Sequence, residues 1–193
     1  IHGNDGVGRT KVVRAEEFVH TLNPDIAVDT YETRVTQDNA ESLIEGYDVV
    51  VDASDNFPTR FLLNDACMLA DKPLSHGAVY KFEGQATTLT GGPCYRCLFP
   101  EAPPEGTIPN CAEAGVLGVL PGTIGAIQAT EVIKLILDEG ETLEGRLLAY
   151  DAGGMTFDFV PIAPNPECPV CSETPQIDSV TEGEYTGACT LSD

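Results

Sequence analysis

The stretch YDVVVDASDNFPTRFLLNDACML, residues Tyr47–Leu69, decides how the chain is read. Its first half is almost continuously apolar and stops on carboxylates, the pattern of a parallel strand buried on both faces. Pro58 then stands where a helix begins, and Phe61, Leu62, Ala66 and Leu69 recur at helical spacing. A strand feeding a helix in this way is the building unit of an α/β sheet. Ligands of such sheets bind over the carboxyl ends of the strands, where Asp52 and Asp55 fall. A hard carboxylate there can hold Mg2+ bridging nucleotide phosphates. The plainer role is capping, since Asp55 or Asn56 ahead of Pro58 makes a good N-cap.

Upstream, KVVRAEEFVHTL places Val12, Ala15, Val19 and Leu22 on one helical face, and IAVDTYETRV alternates like a strand. Downstream, KPLSHGAVYKFEGQATTLT reads as two strands broken near Gly84. GRLLAYDAGGMTFDFVPI reads as a hairpin through Gly153 and Gly154. The helix from Thr123 is predicted to bury most of its surface, with Gln128, Glu131, Lys134 and Asp138 as a narrow solvent stripe and Gly140 as its cap. Together these elements predict an α/β sheet, parallel in its front half and mixed or antiparallel in its back half. The chain opens on a loop entering a helix, whereas a nucleotide-binding sheet of this kind begins with a strand and a glycine turn. Its first βα units are therefore expected to be missing. Residues 1–171 are predicted to form one domain and 172–193 an acidic flexible tail.

The charge is lopsided: 31 acidic against 10 basic residues, a net −21 in 193 residues. Such a field repels nucleic acid and anionic membrane surfaces, so neither is an expected partner. It resembles the surface of proteins from salt-loving organisms, in which dense counterions screen self-repulsion. No run of about 18 consecutive apolar residues predicts a membrane span, and IHGNDGVGRTK lacks the apolar core of a secretory signal. A cytoplasmic protein is expected.

Against this acidic background, Arg9, Lys11 and Arg14 gather at a predicted helix N-terminus, where the macrodipole disfavours cations by roughly 0.3–1 kcal/mol each. An anion such as a polyphosphate at that end gives the arrangement a reason, for Lys11 above all. Arg14 can equally pair with Glu16 or Glu17. Four of the seven cysteines form two knuckles, Cys94 with Cys97 and Cys168 with Cys171. The two-residue spacing lets both thiolates of a pair turn onto one tetrahedral zinc. Two pairs fill its coordination sphere, so the expected metal is structural; the alternatives are two redox dithiols or a disulfide pair, and a cytoplasmic setting disfavours persistent disulfides. The second pair begins 74 positions after the first, which implies a clip between remote parts of one fold. Cys111 lies outside both pairs, just before Gly115, Gly118, Gly122 and Gly125. Those glycines follow no predicted strand, and they are read as allowing close packing of loop and helix, not as a phosphate cradle.

DASDNFPTRFLLND, PCYRCLFP, NCAEAGVLGVLPGTIGAIQATEVIK, LLAYDA and CPVC, in that order, resemble the ThiF/MoeB/HesA family, the ubiquitin-activating-enzyme-like adenylyltransferases. The resemblance covers about Ile1 to Cys171. It implies a Rossmann-like fold and a reaction in which MgATP is attacked at its α-phosphate by the C-terminal glycine carboxylate of a small ubiquitin-like β-grasp sulfur carrier. The products are an acyl-adenylate and pyrophosphate. It further implies that Lys11 contacts the phosphates and that Asp55, with Asn56 beside it, meets the metal and nucleotide. Cys94, Cys97, Cys168 and Cys171 are implied zinc ligands, and Cys111 is implied to form a thioester or to take part in sulfur transfer. Homodimers are usual in the family. Two other readings stand beside this one: an inactive member that binds a ubiquitin-like partner, and a dinucleotide oxidoreductase with a structural zinc.

Overall fold

The computed structural model describes residues 3–103 and 115–185. The chain divides into two units, Ile1–Val35 and Thr36–Asp193.

The first unit holds a 3-10 turn, Asn4–Gly6, and helix α1, Lys11–Leu22. The stretch IAVDTYETRV forms no strand, contrary to its alternation. A strand requires a hydrogen-bonded neighbour as well as a pattern, and no described residue offers its backbone a ladder. It is tied to α1 by side chains instead. Thr10 Oγ1 donates to Glu32 at 2.9 Å, and the His20 ring meets the Ile26 carbonyl at 3.1 Å.

The second unit is built on a five-stranded sheet in the order β1 (Val50–Asp52), β2 (Leu74–Tyr80), β3 (Glu83–Leu89), β4 (Arg146–Asp151), β5 (Thr156–Pro161). β1 and β2 pair in parallel, with Asp52 opposite His76; every later pairing is antiparallel. This is the predicted change from a parallel front to an antiparallel back. The β2–β3 turn falls at Lys81 and Phe82, so Gly84 lies within β3 and not at the break. β1 is an edge strand of the described sheet. It buries Asp52 but leaves Val51 half exposed, so the expected burial on both faces holds for only one.

Helices α2 (Ala40–Ile44), α3 (Phe57–Leu69), α4 (Tyr95–Leu98) and α5 (Leu120–Leu137) complete the unit. α3 starts as predicted: the Asn56 side chain accepts from Thr59 N at 2.9 Å, with Pro58 in the first turn. Because side chains alternate along a strand, Ser75, Gly77 and Val79 of β2 face α5. His76 faces the other side, against Tyr95.

α5 reverses one expectation. Gln128 and Glu131, predicted to face solvent, are only 5% and 2% exposed, while Ile133, Ile136 and Leu137 are more than half exposed. Hydrogen bonding explains the reversal. Gln128 Nε2 donates to the carbonyls of Asp52 and Ser75 at 2.8 and 3.0 Å. Glu131 accepts from Thr88 Oγ1, Lys134 Nζ and Leu143 N at 2.7, 2.6 and 2.5 Å. Burial opposes ionisation of Glu131, but these donors outweigh it and hold its carboxyl below the usual range. A polar side chain whose partners are all inside is stable inside. α5 has the length and apolarity to cross a bilayer (mean hydropathy 1.2), yet its polar face is bonded to this sheet.

The predicted packing glycines are also displaced. A Cβ on Gly115, Gly118, Gly122 or Gly125 would meet no described atom within 4 Å, whereas one on Gly77 or Gly84 would collide with Gln128 or Ile124. The close approach of helix to sheet is made by glycines of the strands. The helix ends on Asp138, which takes the left-handed conformation expected of Gly140; Gly140, with φ +80°, follows in the same turn. Around this contact Ala86, Leu120, Ile124, Leu143, Leu148 and Tyr150 form the core.

After Cys171 the chain stays attached as far as Tyr185. Val180 is buried, Gln37 Nε2 donates to the carbonyls of Val180 and Gly183, and Tyr185 donates to Asp65.

Candidate metal centre and sheet-edge site

Cys94 ends the loop after β3 and caps α4, which carries Cys97 three residues further on; Cys168 and Cys171 come from the segment after β5. The fold brings the four sulfurs to within 4.8 Å of one another. Cys94 and Cys168 are fully buried, with their sulfurs 3.5 Å apart, and Cys97 lies 3.4 Å from Cys171. A disulfide needs about 2.05 Å, so neither contact is one. Four thiolates at about 2.3 Å from a tetrahedral zinc stand roughly 3.8 Å from each other, and the cluster fits that cage with slight adjustment. Asn165 N points at Cys97 Sγ at 3.4 Å, a donor of the kind that steadies thiolate ligands. A hydrogen bond from Cys94 pulls the Cys168 thiol down to about 5, against the effect of burial, and pushes Cys94 up. The buried Cys67 thiol is pushed up to about 12 by desolvation and is no nucleophile.

The second cluster lies at the carboxyl end of β1. Ala53, Ser54, Asp55 and Arg60 line a cavity of about 120 Å3 with Gly77, Ala78 and Val79 of β2 and with Pro121, Ile124 and Gln128 of α5. Asp55 is exposed at its mouth, and its Oδ1 accepts from Asn56 Nδ2 at 3.3 Å. Asn56 has the capping role, which leaves the Asp55 carboxylate the freer of the two. Asp52 is turned inward and is not available to a ligand. It is 1% exposed and 2.7 Å from His76 Nδ1, with Ser54 N donating to its other oxygen. Burial opposes its ionisation, but His76 and Ser54 outweigh that and hold its carboxyl below the usual range. The pair fixes the start of the loop that carries Asp55.

Two residues here escaped sequence reasoning. His76 sits mid-strand with no motif around it, and only its register opposite Asp52 could have pointed to it. Arg60 is 9% exposed; its Nη2 donates to the Ser54 carbonyl at 3.0 Å, and its Nε has no partner among the described residues. A buried guanidinium with an unused donor on a cavity wall attracts an anion. The signal was the TR following Pro58, one turn after Asp55.

Lys11 opens α1 in the first unit, exposed and without an ion-pair partner among the described residues. Arg9 and Arg14 both reach Glu17, whose carboxyl they hold below the usual range. The expected pairing of Arg14 with the acidic residues of α1 is therefore present. Cys111 lies outside the described residues.

An open α/β sheet of this kind binds its ligands over the carboxyl ends of its strands, and in this chain that feature stands beside a cluster of four sulfurs in one fold. The ThiF family model matches residues 1–170, and the chain belongs to that family. It is 60% identical over 193 residues to the SAMP-activating enzyme E1 of Haloferax volcanii, covering 100% of this chain and 71% of that protein. It is 48% identical over 182 residues to the sulfur carrier protein adenylyltransferase of Thermus thermophilus, covering 91% and 67%. The crystal structure of E. coli MccB with ATP superposes with a TM-score of 0.71 at 18% identity, over 88% of this chain and 53% of MccB, a likeness of fold.

Proposed function

We propose that the chain belongs to an enzyme that adenylylates the C-terminal glycine of a small ubiquitin-like sulfur carrier, using ATP. The observation that carries this reading is the 60% identity, along the whole chain, to an enzyme named as SAMP-activating. The carrier carboxylate attacks the α-phosphorus of ATP, the bond to the bridging oxygen breaks, and pyrophosphate leaves. A carboxylate, which is a poor acylating agent, becomes an acyl-adenylate with AMP as its leaving group. Reactions of this kind depend on positioning and on neutralising charge at the phosphates. Lys11, exposed at a helix N-terminus and without an ion-pair partner among the described residues, is suited to the polyphosphate. Asp55 and Asn56 at the strand end are suited to nucleotide-bound Mg2+. Arg60, a buried guanidinium among the residues that line the cavity, is suited to hold the carrier carboxylate or a phosphate oxygen there.

Cys94, Cys97, Cys168 and Cys171 would hold a structural zinc, and their four sulfurs would tie the loop after β3 to the segment after β5. Cys111 takes the acyl group from the adenylate: its thiolate attacks the acyl carbon, a thioester forms and AMP leaves. Sulfur transfer is the other use of the same thiol. The exposed Ile133, Ile136 and Leu137 support a homodimer, and the protein works in the cytoplasm.

The test is pyrophosphate exchange into ATP with a carrier ending in two glycines. Carrier-stimulated exchange that falls at least 100-fold in Asp55→Ala supports the reading. Carrier binding without exchange assigns the chain to an inactive carrier-binding member instead.

A further inference from the structure

The first cysteine knuckle is held from outside itself. The two residues between its ligands, Tyr95 and Arg96, are both fastened to consecutive residues of α3. Tyr95 N donates to Asn64 Oδ1 at 2.8 Å. Arg96 lays its fork on Asp65, Nε at 2.8 Å from Oδ1 and Nη2 at 2.7 Å from Oδ2. Asn64 and Asp65 are fully buried and bonded to each other, Asn64 Nδ2 donating to Asp65 Oδ1 at 2.9 Å. A third segment joins them, from beyond the second knuckle in the chain. Tyr185, fourteen positions after the last cysteine ligand, donates its hydroxyl to Asp65 Oδ2 at 2.8 Å. The Arg96 guanidinium lies 4.9 Å from the Phe61 ring centroid and 5.9 Å from that of Tyr185.

We infer that Asn64, Asp65 and Tyr185 are positioning residues for the metal centre, holding the Cys94–Cys97 turn in its ligating shape so that metal is retained. The argument is one of preorganisation. A two-residue knuckle in a loop must lose conformational freedom to present both sulfurs, and a ligand that finds them already placed leaves more slowly. Here the turn is clamped at its backbone by Asn64 and at its side chain by a bidentate, buried ion pair, whose geometry lysine cannot reproduce. Tyr185 completes the coordination of the Asp65 carboxylate. The segment after the second knuckle thus closes over the first, and docking of that segment and metal retention reinforce each other. Outer partners of this kind are worth about 10–100-fold in metal affinity.

The inference rests on the zinc occupancy proposed above, and the experiment separates the two. The full chain is loaded with zinc, and release is followed with pyridylazoresorcinol for the wild type, Tyr185→Phe and Arg96→Lys. Each variant is expected to release zinc about tenfold faster, with an unchanged far-ultraviolet spectrum. Loading with cobalt gives a second readout: the ligand-field bands of the four-sulfur site shift in Arg96→Lys, because the turn between Cys94 and Cys97 relaxes. Lys72→Ala is the control for lost stability alone. It removes the Lys72 bonds to the carbonyls of Glu45 and Tyr47, beyond the far end of α3. Wild-type release rates in both variants would overturn the inference. So would equally fast release from Lys72→Ala, since metal loss would then follow global stability. A wild-type chain that takes up no zinc refutes the metal centre itself.

Discussion

Replacing Gly77 by alanine tests the contact on which the sheet-edge site is built. A Cβ at Gly77 would stand 2.5 Å from Oε1 and 2.8 Å from Nε2 of Gln128, so the side chain must move. Gln128 then loses its bonds to the carbonyls of Asp52 and Ser75, which are buried between α5 and the strands. Overpacking of this kind costs about 1–3 kcal/mol, and each bond lost from a buried group costs about 1 kcal/mol more. A destabilisation of about 3 kcal/mol is expected, measured by urea unfolding at fixed salt. The double substitution separates clash from other causes. Gln128→Ala removes the obstacle, so Gly77→Ala in that background should cost less than about 1 kcal/mol, a coupling of about 2 kcal/mol. The reasoning is refuted if Gly77→Ala is neutral in the wild type, or if the two effects simply add.

Three further outcomes follow from the charges and the thiols. The carboxyls of Asp52 and Glu131 are held below their usual range by their partners, so their contribution is present above the unfolded pKa and lost as the pH falls through the folded one. Stability should therefore drop below roughly pH 4, and Asp52→Asn with Glu131→Gln should flatten that acid limb; an unchanged limb contradicts the assignment. With a net charge of −21, the fold should gain stability steeply from about 0.1 to 2 M KCl, as a rising urea midpoint. A flat midpoint would show that self-repulsion is unimportant. Cys111→Ala should leave acyl-adenylate formation intact and abolish the thioester or persulfide adduct, read by mass spectrometry with and without reductant. Loss of adenylate formation in a folded variant would contradict the role given to Cys111.

Much of the framework was legible because its signals are local. An apolar strand ending in carboxylates, with proline in the next helix turn, led directly to β1 and α3, and Asn56 caps where its position implied. The knuckles were legible because ligand spacing is itself chemistry, and the fold gathers them as expected. What escaped was set by partners distant in sequence. Gln128 and Glu131 look like solvent residues until the carbonyls of Asp52 and Ser75 and the hydroxyl of Thr88 are found beneath them. The alternation of IAVDTYETRV is real, yet no described neighbour pairs with it. Gly77 drew no notice, and Gly84 was read as a break between strands, because the need for both lies on α5. His76, Asn64, Asp65 and Tyr185 act through contacts spanning 24 to 120 positions, for which no short motif exists.

The central claim is that a carboxylate is activated with ATP at the strand end bearing Asp55, and the direct measurement is the mass of the carrier. With the zinc-loaded enzyme containing this chain, ATP and Mg2+, a carrier ending in two glycines should gain the mass of AMP at its C-terminus, and Asp55→Ala should prevent it. A carrier that stays unmodified while the folded, zinc-loaded protein binds both it and ATP would contradict the account.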